Sequence, residues 1–241
     1  MSVARFRFDE ALSLFLRSDR RGETFEHACA QSATLKNAVE ALGVPHTEVG
    51  AILVNGSPAT LQRIVRDGDV IEVSAQLREE AGEETGEEMG SVPVFLADAH
   101  LGRLARFLRM LGFDTLHRNA FTDNEMRRIA EAEGRIVLTR DRELLKCREI
   151  SRGCFVRALD PEAQLREVAQ RYALARQARP FTLCLCCNLA LEAVAKGAVA
   201  ARLPESVRAA QQTFSYCRGC DRVYWPGSHY QRMRAALSEL L

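Results

Sequence analysis

The chain has 241 residues, 47% of them hydrophobic, which is enough for one or two domains with packed cores. No stretch approaches the roughly 18–20 uninterrupted apolar residues of a membrane span, and MSVARFRFDE lacks a signal-peptide core, so a cytoplasmic protein without membrane contact is expected. The formal charge of +1 conceals a split: residues 1–90 carry 9 Lys and Arg against 16 Asp and Glu, and residues 91–241 carry 24 against 16. The C-terminal part has the electrostatics of something that meets polyanions, although a solvated basic surface reads the same way.

Residues 1–76 form the first unit. Alternation over Val3–Phe8 and Thr24–Ala28 predicts paired strands around the apolar segment Leu12–Leu16. A helix opens after Ser32-Ala33-Thr34, runs through Ala38, Val39 and Leu42, and stops at Gly43. Ala51–Val54 reads as a strand, Asn55-Gly56 as a tight turn, and Val70–Ser74 as a last strand after Gly68-Asp69. The result is a small α+β domain. TLKNAVEALGVPHTEVGAILVNG with DGDVIEV resembles a ubiquitin-like β-grasp domain of the sulfur-carrier type. Such carriers need a free C-terminal Gly-Gly, whereas this chain runs on through Ser74-Ala75-Gln76. A docking module that recruits a protein partner or substrate, and a stabilising appendage, are the two readings left.

Residues 77–90 carry six Glu, three Gly and one Arg, a composition that cannot bury a core and predicts an acidic flexible linker. Residues 91–180 then read as an α/β domain. A buried strand over Val94–Ala97 delivers Asp98, and a helix follows with Leu101, Leu104, Leu108 and Leu111 on one face and Arg103, Arg106 and Arg109 elsewhere. A second helix begins near Asp123, and a second buried strand over Arg135–Leu138 delivers Asp141 and Glu143. Alternating strands and helices imply a parallel sheet, whose ligands sit at the carboxyl ends of the strands. Clustered carboxylates suit Mg²⁺ or Mn²⁺, which can activate water and stabilise charge on a phosphoryl oxygen. Arg103, Arg106 and Arg140 suit phosphate through their bidentate forks. Each residue also has a plain structural reading: Asp98 and Asp123 as helix caps, and the three helix arginines as a wet face.

Eight cysteines stand at positions 29, 147, 154, 184, 186, 187, 217 and 220. Cys29, Cys147 and Cys154 read as small buried hydrophobes. Cys184–Cys187 and Cys217–Cys220 form two C-x-x-C pairs with 29 residues between them, the pattern of a structural four-thiolate zinc ribbon over residues 181–241. The long spacing implies an inserted helical segment, placed at Leu191–Ala201. Cys186 is either an outward, unused thiol or an alternative to Cys187. Beyond the ribbon, Tyr224, Trp225, His229 and Tyr230 precede a helix with Arg232 and Arg234. Aromatics beside arginines can stack on unpaired bases, and His229 can meet phosphate; Tyr224 and Trp225 can instead pack the ribbon.

FLADAHLGRLARFLRMLGFDTL followed by DNEMRRIAEAEGRIVLTRDRELL resembles the RNase domain named after the C-terminal part of the Mut-seven exonuclease, a PIN-like nuclease, over about residues 94–235. The resemblance implies that Asp98, Asp123 and Asp141 hold Mg²⁺ or Mn²⁺, with Asp141 in the T-x-D motif and Glu143 as a further acidic position. It also implies hydrolysis of RNA by a metal-activated water, and a C-x-x-C-N ribbon at Cys184, Cys187 and Asn188. The combined expectation is an α/β PIN-like parallel-sheet domain with a C-terminal zinc ribbon, behind an N-terminal α+β ubiquitin-like β-grasp domain. Its activity is metal-dependent cleavage of single-stranded RNA. The rival readings are a non-catalytic RNA-binding module and a ubiquitin-like interaction adaptor.

Overall fold

The computed structural model describes residues 1–76, 92–228, 230 and 231. The expected linker 77–90, His229, Arg232 and Arg234 lie outside the described residues. In chain order the elements are β1 (Ser2–Phe8), β2 (Phe25–Cys29), α1 (Leu35–Ala41), β3 (Val49–Val54), β4 (Ser57–Ala59) and β5 (Val70–Ala75). They continue with β6 (Phe95–Ala97), α2 (Gly102–Met110), β7 (Thr115–His117), α3 (Asp123–Glu133), β8 (Ile136–Thr139), β9 (Gly153–Phe155) and α4 (Pro161–Arg171). The last are β10 (Glu192–Val194), α5 (Lys196–Val199), α6 (Glu205–Ala210), β11 (Phe214–Cys217) and β12 (Arg222–Tyr224). Two compact units emerge, Met1–Glu83 with Ala120–Arg157, and Glu84–Asn119 with Ala158–Leu241. The first unit holds, among the described residues, a sheet ordered β2-β1-β5-β3-β4 and the parallel pair β8-β9, and the second holds the parallel pair β6-β7 and a sheet ordered β10-β11-β12. Among the described residues no helix is long and apolar enough to cross a membrane.

In the first unit, β1 pairs antiparallel with β2 and parallel with β5, and β3 pairs antiparallel with β5 and β4. A parallel central pair needs a crossover, and the chain between β1 and β5 carries α1. This is the β-grasp arrangement. Strand β1 alternates strictly, burying Ala4, Phe6 and Phe8, with Phe6 at 0% exposure among Leu12, Leu35, Val39 and Ile71. Helix α1 starts with a Thr34/Asn37 capping box and is left by Gly43 at φ 107, where a Cβ would collide with the Phe15 carbonyl oxygen. The Asn55-Gly56 turn has φ of 52 and 78, the primed hairpin geometry that joins β3 to β4. Of the Leu12–Leu16 segment, Leu12–Phe15 lie in a 3-10 turn over Glu10–Phe15 and Leu16 follows it in extended conformation.

Asp69, 4% exposed, anchors the return into β5. Its oxygens accept from Arg63 Nη1 at 2.8 Å and Nη2 at 3.1 Å, from Arg66 N at 2.8 Å and from Asn55 Nδ2 at 3.1 Å. The hydrogen bonds from Arg63, ahead of the opposing desolvation, hold the Asp69 carboxyl below the usual carboxylate range. A depressed folded-state pKa stabilises above the unfolded value, and that stability is lost as pH falls through the folded value. Unfolding by denaturant is therefore expected to show stability declining below about pH 4, with Asp69→Asn costing about 2 kcal/mol at pH 7 and flattening that decline.

The rest of the first unit joins this domain by buried polar contacts. Glu48, 1% exposed, accepts from Phe155 N and Arg157 Nη2, both at 2.8 Å. His46 lies between Glu40 Oε1 at 2.7 Å and the Ile150 carbonyl at 2.9 Å, and the Phe15 and Phe155 rings meet edge to face at 5.1 Å. A carboxylate buried this deeply is tolerated only because it is paired, so these contacts specify the docking of the β-grasp domain on the β9 segment. Helix α3 is capped by Thr122 in a capping box with Glu125, so Asp123 is the exposed first helical residue and not the cap. Gly134 ends the helix at φ 62. Strands β8 and β9 pair parallel.

In the second unit β6 and β7 also pair parallel. Helix α2 buries Leu104 and Leu108, with Leu101 and Leu111 beside it, and Phe95 is stacked edge-on by Phe113 at 6.2 Å and Tyr172 at 5.6 Å. The insertion between the C-x-x-C pairs departs from the expected helix over Leu191–Ala201. Glu192–Val194 pairs antiparallel with Phe214–Tyr216 as β10, which satisfies its backbone in a ladder, and helix begins only at Lys196. Val199, Leu203 and Phe214 form the small ribbon core, with Val194, Val207, Val223 and Trp225 packed on it.

Candidate metal centre and active site

Two turns of the same construction make the metal centre. In the first, Asn188 N donates to the Cys184 carbonyl at 3.0 Å; in the second, Asp221 N donates to the Cys217 carbonyl at 2.9 Å. Each closes on a residue in the left-handed region, Asn188 at φ 69 and Asp221 at φ 57, both types that tolerate it. Sγ atoms of Cys184, Cys187, Cys217 and Cys220 all lie within 4.8 Å of one another. Cys184 to Cys220 is 3.5 Å and Cys187 to Cys217 is 3.2 Å, near the edge of about 3.8 Å of a tetrahedron with Zn–S bonds of about 2.3 Å. Burial raises the Cys184 thiol pKa, but hydrogen bonds from Tyr224 Oη at 3.1 Å and from neighbouring backbone N–H groups outweigh it and bring the thiol down to about 6. Burial and the neighbouring thiols push Cys187 and Cys220 the other way, so it is the spacing of four sulfur ligands, two buried and two half-buried, that fits structural zinc and offers no open position. Cys186 is exposed and outside this set, as an outward, unused thiol.

The first turn is bound to helix α2. Arg109, 5% exposed, donates from Nε to the Thr115 carbonyl at 2.9 Å and from Nη1 to the Leu185 and Cys186 carbonyls at 3.1 and 2.9 Å. Burial lowers its pKa, and the thiolates of Cys184, Cys186 and Cys187 push back. The sequence groups this arginine with Arg103 and Arg106, for which a wet face is one of the readings, and nothing in the local pattern separates them. Asn188 completes the tie, with Oδ1 accepting from Thr115 N at 3.0 Å and Nδ2 donating to Asp114 Oδ1 at 2.5 Å. Ahead of the turn, Arg179 N and Phe181 N bond the carbonyls of Leu111 and Met110, at 2.8 Å each. Replacing Arg109 by Ala leaves three carbonyls without their donor, so a loss of about 3 kcal/mol and faster zinc transfer to a chelator are expected, measured by thermal unfolding and a colorimetric zinc assay.

The expected carboxylates are described element by element. Asp98 is half-buried directly after β6, and its Oδ1 accepts from Ala99 N at 2.6 Å, capping a 3-10 turn over Ala99–Leu101. Asp141 is exposed just beyond β8; its Oδ1 accepts from Glu143 N at 2.8 Å and Leu144 N at 3.4 Å, and its N–H donates to Thr139 Oγ1 at 2.9 Å. These bonds give the T-x-D segment a fixed shape, with a single carboxylate oxygen of Asp141 so engaged among the described residues. Glu143 Oε1 meets Lys146 Nζ at 2.8 Å. Asp123 is exposed at the first turn of α3. Among the described residues the four cysteines are the one group of three or more candidate ligand atoms within 4.8 Å of one another. Arg103 and Arg106 are exposed on α2, and Arg140 Nη1 donates to the Val156 and Arg157 carbonyls at 3.4 and 3.1 Å.

The family model of the Mut7-C RNAse domain matches residues 93–237, and that of the Mut7-C ubiquitin domain matches residues 1–80. No curated protein shows a match to the chain. Among solved structures, H. volcanii small archaeal modifier protein 1 is similar at 18% identity, over 31% of this chain and 97% of that one, with a TM-score of 0.25. With more than half of its length matched, the chain belongs to the Mut7-C RNase domain family and carries a Mut7-C ubiquitin-like domain ahead of that domain.

Proposed function

We propose that the protein is a metal-dependent ribonuclease that hydrolyses phosphodiester bonds of single-stranded RNA in the cytoplasm. The observation that carries this reading is the pair of strand-end aspartates, Asp98 after β6 and Asp141 after β8, each shaped by backbone N–H groups of its own loop. Carboxylate oxygens are the donors that Mg²⁺ and Mn²⁺ take, and a cation offsets the repulsion between clustered carboxylates. Asp98, Asp123 and Asp141 would hold the ion. When bound, it supplies an activated water and charge stabilisation at the phosphoryl oxygen. Glu143 is the candidate acceptor for the water's proton, in competition with its Lys146 contact. Arg103, Arg106 and Arg140, with His229, would position the phosphate through charge-assisted hydrogen bonds. The free cysteines suit a reducing compartment, and the ubiquitin-like domain would add a surface for a protein partner.

The test is cleavage of labelled single-stranded and duplex RNA by purified, zinc-loaded protein with and without Mg²⁺ or Mn²⁺. Metal-dependent loss of the single-stranded substrate is expected. Intact RNA together with undiminished RNA binding would instead assign a non-catalytic binding module.

A further inference from the structure

The face of the zinc ribbon next to helix α2 holds a groove of about 690 Å³. Arg103 and Arg106 line it from α2, Arg222 from β12, and the half-buried rings of Phe107 and Trp225 lie between them. Two carboxylates share the lining, Asp221 and Glu162. Asp221 is taken by Arg202 at 3.0 Å, whereas Arg103, Arg106 and Arg222 have no ion-pair partner among the described residues. The groove therefore keeps an excess of positive charge, carried by guanidinium groups whose forks match phosphate oxygens. Its aromatic faces stand where a base can stack, and only an unpaired strand exposes base faces to such a surface. Both walls depend on the zinc centre, because the Cys217–Cys220 turn leads directly into β12 and Arg109 fixes the other turn to α2.

We propose that this groove seats a single-stranded RNA segment, with Arg103, Arg106 and Arg222 on its phosphates and Phe107 and Trp225 against its bases. The inference rests on the ribonuclease reading for its choice of ligand and assigns the ribbon a share of substrate binding as well as a structural role. Trp225 is the chain's single tryptophan, so its fluorescence reports occupancy without a label.

The experiment titrates the full zinc-loaded chain, without added Mg²⁺ or Mn²⁺, with a ten-nucleotide uridine RNA at several salt concentrations. Circular dichroism and zinc content serve as folding controls for the Arg106→Ala/Arg222→Ala double variant. Saturable quenching is expected, with the double variant binding about tenfold or more weakly and its log–log salt slope shallower by about 1.4, or about 0.7 per phosphate contact. Absent quenching, or wild-type affinity and slope in the folded double variant while the wild type still cleaves RNA, overturns the groove and leaves the ribonuclease reading standing. Arginine-dependent quenching with no cleavage under Mg²⁺ or Mn²⁺ upholds the groove and overturns the hydrolytic reading instead.

Discussion

Stripping the zinc is expected to unfold the ribbon and loosen helix α2 with it. Among the described residues the buried core of the ribbon cluster is Val199, Leu203 and Phe214, far too few to hold three short strands and two short helices against chain entropy. The four thiolates must supply the difference. Structural zinc contributes apparent free energies of about 10–16 kcal/mol at neutral pH, more than the whole stability of an ordinary domain. Through Arg109 and Asn188 the first turn is bonded to Thr115 and Asp114, so its loss removes partners from the α2–β7 region as well. Cys217→Ser should lower bound zinc from one equivalent to near none and shift Trp225 emission to the red. Cys186→Ser should change neither, because that thiol is exposed and outside the ligand set. Elemental analysis and fluorescence on the two variants check this, and a zinc-free protein with native Trp225 emission would refute it.

Asp141→Asn is expected to reduce RNA cleavage by about 10²–10⁴-fold with little loss of stability. The asparagine keeps an oxygen to accept from Glu143 N and Leu144 N, so the loop retains its shape while the charge that would hold a divalent cation is gone. Asp98→Asn should behave alike, since the amide oxygen still caps Ala99 N. Glu143→Gln should cost less than either, because that side chain is 68% exposed and already engaged by Lys146. Single-turnover rates for the three variants, each with its thermal midpoint, separate lost chemistry from lost fold.

Much of this was legible in the sequence because the responsible signals are local. The pleat of Val3–Phe8, the primed Asn55-Gly56 turn, the Gly43 and Gly134 helix stops and the buried runs at Phe95 and Ile136 each act within a few residues. The two C-x-x-C turns announced the metal centre because a tetrahedral thiolate set needs that spacing and little else. What stayed hidden depends on distant partners. Glu48 reads as one more polar residue near a strand, and only its bonds to Phe155 and Arg157, 107 and 109 positions away, make it a buried docking contact. Arg109 looks like its neighbours Arg103 and Arg106 until Leu185, 76 positions on, comes to it. Strands β7 and β9 have three residues each, too short for periodicity to declare them. The strand β10 likewise exists through its pairing with β11, and its exposed Glu192 and Ala193 gave no alternation to read.

The central claim, that hydrolysis is carried by the carboxylates at the strand ends, is tested most directly by one comparison. Wild-type protein and Asp141→Asn, purified in parallel and matched in zinc content, are incubated with a labelled single-stranded RNA in Mn²⁺ or Mg²⁺. Cleavage by the wild type that requires the added metal and falls at least a hundredfold in the variant is the predicted result. Equal cleavage by both would contradict the account and place the chemistry elsewhere.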